Sequence, residues 1–306
     1  MSITALWFCV KRMPRILALI FNLITIFLTI FLLVGCYNMA NQATFLTRYE
    51  FDQSSPFYSV IKSSFAAGNK TTGLEKVVIK SGYMGICLED VPRVYNFQGQ
   101  EATEACFSRK SVSNNSLFTD LSIELFNIPS TSNNKSTSNK SSTPVKLNIL
   151  QLAQMTSVNV VHPYILMATI ILTIILFLLI LYAIVPSLPF KIYLSRFTLI
   201  LSPVLVLIWG LGSIWAHVGI RASYKFIPAA SMGIIKVHKG KKSATMTWFS
   251  FAFLLIDCII LWALYLRDRK NLDEEIDKVN ATKNSNPYDY YGGSSSSNSS
   301  SLHSKV

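Results

Sequence analysis

The fold class that this sequence predicts is an all-α membrane bundle of four transmembrane helices carrying a small, disulfide-pinned extracellular β-sheet. Three observations predict it. Of 306 residues, 51% are hydrophobic and only 14% are charged, and the apolar residues are gathered in blocks rather than spread periodically. Four of those blocks, residues 16–36, 165–185, 197–216 and 248–266, reach the length of about 20 residues that crosses a hydrocarbon core of about 30 Å. Cys87 and Cys106 are the two cysteines that lie well outside any apolar run, and they look like a disulfide pair. Their bridge would close a loop of about 20 residues, worth roughly 3 kcal/mol in the chain-entropy estimate.

The first block follows Lys11, Arg12 and Arg15 and exceeds the 7–15 residues, roughly, of a secretory apolar region. It is therefore read as a transmembrane helix rather than a signal peptide, although Leu33-Val34-Gly35-Cys36 resembles a lipoprotein cleavage site. Residues 1–15 are then cytoplasmic, 37–164 form a long extracellular loop, 186–196 a cytoplasmic loop, 217–247 a second extracellular loop and 267–306 a disordered cytoplasmic tail with one short charged helix candidate, Leu272–Ile276. One feature opposes this orientation. The second outer loop carries Arg221, Lys225, Lys236, Lys239, Lys241 and Lys242 without one acidic residue, whereas short basic loops normally remain cytoplasmic. The first helix and the signatures of the long loop decide the orientation.

In that long loop, Asn69, Asn114, Asn134 and Asn139 begin N-glycosylation sequons. The last two fall in a Ser/Asn-rich insert, residues 129–144, too polar to bury a core and expected to be disordered. Before it, Lys76–Leu88 is β-branched and aromatic, and Glu101–Arg109 is a shorter partner strand that holds the second cysteine. Glycines in a strand mark a bulge or a close backbone approach, and Gly82-Tyr83-Met84-Gly85-Ile86-Cys87 has two of them. Apolar residues at 117, 118, 121, 125 and 128 predict a helix over Leu117–Ile128, and Leu147–Val161 predicts a further short helix.

The four spans, the long first loop and the series Gly82, Tyr83, Met84, Gly85, Cys87 with Cys106 downstream resemble the fungal tetraspan family of mating-induced regulators of low-affinity calcium influx and cell fusion. That family's signature is itself similar to the first loop of claudins. The resemblance implies a claudin-like bundle and a plasma-membrane protein, concentrated at the mating contact zone, that promotes calcium entry and membrane merger. No tryptophan stands in the first loop, a departure from the claudin pattern. The competing class is a structural tetraspan that organises cortical membrane domains or adhesion without ion transport.

Charged residues can be weighed against this reading. Asp257 falls near the centre of the fourth span, where an ionisable side chain costs on the order of 2.5–3.5 kcal/mol and turns toward the bundle. It is either a cation or proton site or a structural partner of Asn22, Thr25 or a serine of the third span. Outside, Glu89 and Asp90 follow the first cysteine while Glu101 and Glu104 precede the second. A closed disulfide would gather these four, either to attract cations or as solvated residues with Arg93 and Arg109 as counter-charges. Pro203, Gly210, Gly212 and Ser213 in the third span suit a hinge or close helix packing. Cys9 lies near the cytoplasmic face, Cys36 at the outer end of the first span, and Cys258 in the fourth.

No Ser/His/Asp set, P-loop, dinucleotide fingerprint or zinc-ligand spacing is present, so the sequence predicts no enzyme, no metal and no cofactor. The formal charge of +12 belongs to membrane flanks and outer loops and does not indicate nucleic acid. Membrane lipid is the expected partner, together with either a calcium channel or further copies of the chain.

Overall fold

The computed structural model describes residues 3–67, 71–95, 103–109, 111–114, 116–128, 143–160, 162–184 and 191–284. The chain forms two compact units, Met1–Leu261 and Trp262–Val306.

The first unit contains four helices with stretches long and apolar enough to cross a membrane: α1 (Ile3–Val34), α5 (Pro163–Ile184), α6 (Lys191–Ala230) and α7, which begins at Lys241. Their outward faces carry large apolar side chains such as Phe27, Ile171, Leu178, Leu207 and Leu211, all more than half exposed. Such a belt is costly in water and stable against lipid. Inward, α1 packs on α5 and α5 on α6. Helix α7 closes the circuit: Phe253 stacks on Phe21 of α1 with centroids 5.4 Å apart, and Ser250 accepts a 2.9 Å hydrogen bond from Trp209 of α6. Gly210 and Gly212 serve this packing, since added Cβ atoms would lie 3.0 Å from Phe251 and 2.8 Å from Ile165.

On one end of the bundle rests an antiparallel sheet of five strands in the order β4-β3-β2-β1-β7. These are β1 (Thr47–Phe51), β2 (Val78–Ser81), β3 (Gly85–Glu89), β4 (Ala105–Ser108) and β7 (Ile235–Lys239). The stretch read as one strand, Lys76–Leu88, is a hairpin of β2 and β3 turning through Gly82-Tyr83-Met84. In β4, Cys106 stands directly opposite Cys87 and is joined to it by a disulfide. The sheet is larger than expected because β1 and β7 extend it. The basic loop between the last two spans supplies an entire edge strand.

Strand alternation divides the sheet into two faces. Tyr49, Phe51, Ile79, Leu88, Ile235 and Val237 face the core, packed against Ile61 and Phe65 of α2 (Tyr58–Ala66) and against Ile149, Leu150 and Ala153 of α4 (Ile149–Met155). Asn148 caps α4 by accepting from the backbone N–H groups of Leu150 and Gln151. The helix expected over Leu117–Ile128 is corrected: only α3 (Ser116–Asp120) is helical, and β5 (Ser122–Ile128) pairs with β6 (Thr143–Asn148). Ser122-Ile123-Glu124 alternates as a strand does, and pairing across the insert overrides the helical spacing. Thr143 and Pro144, read as the end of that insert, belong to β6; residues 129–142 lie outside the described residues.

In the second unit, residues 262–284 continue α7, so the short helix expected over Leu272–Ile276 is part of a longer one that takes in 267–284 of the tail expected to be otherwise disordered. From Arg267 onward the side chains described in it are exposed, and the Arg267–Asp268 pair at 3.9 Å is a surface contact that contributes little.

Candidate functional site

Three features of the first unit bring chemistry-bearing residues together: the junction between sheet and bundle, the polar face of the sheet, and a polar pair inside the bundle.

At the junction, the end of α1 runs against the β2–β3 turn, backbone on backbone. A Cβ on Gly82 would lie 2.3 Å from the carbonyl oxygen of Gly35, and one on Gly85 would lie 2.0 Å from that of Cys36. Both glycines of the motif are therefore required by the same neighbour. Gly35 needs its own lack of a side chain for the same reason, its Cβ falling 2.3 Å from Thr44 O. Between the glycines, Tyr83 leaves the sheet and enters the apolar cluster of the bundle with Leu32, Leu166, Trp209 and Leu254. It is 3% exposed, and burial raises its phenol pKa. The turn is held from the other side as Ser157 donates to Gly82 O at 2.9 Å and Ser81 to Ala153 O at 3.2 Å. A second clamp lies at α7, where Gly240 N–H donates to Leu46 O at 2.8 Å and Ser243 to Phe45 O at 2.7 Å.

Cys36 takes a left-handed conformation (φ 60°) and is fully buried. Its carbonyl oxygen lies 3.4 Å from Cys87 Sγ, a packing contact, since a disulfide sulfur has no proton to donate. Burial pushes the Cys36 thiol from 9.0 up to about 12, with Lys80 opposing that rise. The α1 end, the glycine turn and the disulfide thus form one packed unit.

The polar face carries Arg48, Glu50, Lys80, Glu89, Lys236 and His238 in neighbouring registers. Glu50 accepts from Arg48 at 2.8 Å and pairs with His238 at 2.8 Å, and Glu89 pairs with Lys80. An open groove of about 780 Å³ occupies the part of this face away from the bundle, lined by Glu50, Asp52, Glu75 and Asp90 together with Arg48, Lys76 and Lys236. Two hydrogen bonds from Ser54 hold the Asp52 carboxyl below its usual pKa.

The described members of the expected acidic set, Glu89, Asp90 and Glu104, lie at the same end of the β3–β4 pair, each in its own surroundings. Glu89 is matched by Lys80 rather than Arg93 or Arg109, Glu104 accepts from Gln42 at 2.9 Å, Asp90 belongs to the groove, and Glu101 lies outside the described residues. Arg109 is buried and donates to Ser157 O at 3.4 Å. Among the described residues no group of three or more His, Cys, Asp and Glu is placed to hold a metal ion. Of the expected glycan acceptors, Asn114 ends a 3-10 turn, while Asn69, Asn134 and Asn139 lie outside the described residues.

Inside the bundle, Asn22 Nδ2 donates to Asp257 Oδ2 at 3.1 Å, tying α1 to α7. The Oδ1 atoms of both residues are buried without a hydrogen-bond partner among the described residues. Thr25 turns instead to Phe21 O, and Ser202 lies 3.5 Å from Cys258.

The sequence reading passed over Gly35, Gly240, Ser157 and Trp209, along with the groove acids Glu50, Asp52 and Glu75. A glycine at the end of an apolar run, as at Gly35, is a local signal for the junction that complements Gly82 and Gly85.

Comparison with known proteins places these features in a family. No solved structure matches the chain. It is 54% identical over 308 residues to the Factor-induced gene 1 protein of Saccharomyces cerevisiae, covering 100% of this chain and 99% of that relative. Residues 63–267, which include the glycine turn, the disulfide and most of the bundle, match the family described as "Ca2+ regulator and membrane fusion protein Fig1". The chain belongs to the Fig1 family.

Proposed function

We propose that this chain is a non-enzymatic plasma-membrane regulator of low-affinity calcium influx and of membrane fusion during fungal mating, claudin-like in its bundle and concentrated at the mating contact zone. The sheet domain faces outside and both termini face the cytoplasm. The family match carries this reading, and the name of the yeast relative, a factor-induced gene product, supports induction during mating. The junction supplies a mechanism. Because Tyr83 is at once a residue of the glycine turn and of the bundle core, a displacement of the sheet on meeting a partner is passed to the spans through rigid packing. The partner is a calcium channel or a further copy of the chain.

In this proposal the acidic residues at the ends of the disulfide loop, Glu89, Asp90, Glu101 and Glu104, raise the local cation concentration rather than coordinate an ion. Asp52 and Glu75 line the same groove as Asp90, opposite Arg48, Lys76 and Lys236. Asp257 serves the bundle through Asn22. Replacing the four acids together by Gln and Asn is expected to lower pheromone-stimulated calcium uptake at unchanged surface abundance, and Asp257→Asn to lower it less. Normal uptake by the fourfold variant at the surface, or abolition by Asp257→Asn alone at normal abundance, would overturn the assignment.

A further inference from the structure

The basic segment between the last two spans runs against the usual charge distribution, and its structural role does not account for it. Arg221, Lys225, Lys239, Lys241 and Lys242 are all exposed. Among the described residues no ion pair engages any of them. Lys236 stands apart, in register with Glu50 and close enough to Asp52 to lower its pKa. Lys241 and Lys242 occupy the first turn of α7, where the helix macrodipole disfavours cations, so helix stability does not explain them.

Two contacts put the remaining five side by side. His217 of α6 meets Trp248 of α7 with ring centroids 6.0 Å apart, and Lys239 Nζ lies 4.5 Å from the centroid of the Tyr224 ring. The two chain segments therefore run antiparallel through this region, with Arg221 between the contacts. Trp215 and Trp248 are both exposed at this level, as aromatic residues at a membrane boundary are. At 1.5 Å per residue, Arg221 and Lys242 stand about 9 Å beyond these tryptophans and Lys225 about 15 Å. Headgroups extend about 5–7 Å beyond the hydrocarbon, and long basic side chains bend toward them.

We propose that Arg221, Lys225, Lys239, Lys241 and Lys242, with Tyr224, form a binding site for the phosphate headgroups of acidic phospholipids. The lipids belong to the protein's own membrane, in the leaflet adjoining the sheet domain. The site holds the α6–α7 pair against that leaflet and gives the sheet a fixed lipid-facing side. It is independent of which side of the membrane the sheet occupies and of the calcium reading.

The test uses full-length protein in nanodiscs of phosphatidylcholine with or without phosphatidylserine, followed by thermal unfolding at low and high salt. Phosphatidylserine is expected to raise the unfolding midpoint, and high salt to abolish the rise. A variant with Arg221, Lys239, Lys241 and Lys242 changed to Gln is expected to unfold as the wild type does in phosphatidylcholine and to lose the rise. Each basic side chain near an acidic membrane surface is worth roughly fivefold in affinity, so loss of all four lowers affinity for the phosphatidylserine-containing bilayer by about 600-fold at most. An equal midpoint in both lipids for the wild type, or an undiminished rise in the variant, would overturn the proposal. In a second arm, wild-type proteoliposomes of phosphatidylcholine meet separate phosphatidylserine vesicles. No tethering is expected, and tethering lost in the variant would assign the site to an apposed membrane and overturn the own-leaflet assignment.

Discussion

Gly85 and Cys36 meet so closely that the place a side chain would take on Gly85 lies 2.0 Å from the carbonyl oxygen of Cys36. That oxygen belongs to a backbone fixed at the end of a membrane helix, and Gly85 begins a strand fixed by the Cys87–Cys106 bridge. Neither can retreat cheaply. Gly85→Ala is expected to destabilise the protein by about 3 kcal/mol or more. Gly233→Ala is a control for backbone strain alone, because its φ is 76° with nothing within 4 Å, and it should cost only about 1–2 kcal/mol. Thermal unfolding of the two purified variants checks the difference, and equal losses would mean that crowding at the junction is not what the glycine relieves.

Tyr83 is expected to act through its apolar body. In the bundle cluster with Leu32 and Trp209, Tyr83→Phe should change stability by less than about 1 kcal/mol, while Tyr83→Ala opens a cavity costing about 3–5 kcal/mol. The same two variants measure coupling: calcium uptake per surface molecule should survive in the first and fall in the second.

The buried Cys36 thiol gives a pH prediction with a definite sign. Its folded-state pKa of about 12 lies above its ordinary value of 9.0, so between these values the folded protein keeps a proton that the unfolded chain has lost. Stability from this group is complete below pH 9 and declines from pH 9 toward 12. Cys36→Ala should flatten that part of the alkaline unfolding profile. In the folded wild type, Cys36 should resist alkylation at pH 8 and become reactive only on unfolding.

The spans were legible because hydrocarbon thickness imposes a length that few soluble helices meet with so few charges, and the disulfide was legible because only Cys87 and Cys106 lay clear of apolar runs. Strands β1 and β7 were not. Each is five residues long, and Ile235-Lys-Val-His-Lys239 alternates apolar and polar but stood out first for its charge. The glycine turn announced a close approach without naming its partner, since Gly35 and Cys36 reach it only through tertiary folding. Asp257 is the converse case: burial demanded a partner, and of Asn22, Thr25 and a third-span serine only the first makes the bond.

Membrane sidedness is tested by glycans. Asn69 and at least one of Asn134 and Asn139 should carry them, and Asn280 and Asn298, which begin the tail sequons Asn280-Ala281-Thr282 and Asn298-Ser299-Ser300, should not. Glycosidase mobility shifts in single-site Asn→Gln variants read this directly, and a glycan at a tail sequon would invert the orientation.

Calcium uptake by pheromone-treated cells lacking this chain, with and without the reintroduced wild type, tests the proposed promotion of calcium entry in mating cells. Low-affinity uptake is expected to fall in the deletion and to be restored by the wild type but not by Tyr83→Ala at equal surface abundance. Normal uptake in the deletion, accompanied by disturbed membrane patches or adhesion, would contradict it and make the protein a structural tetraspan.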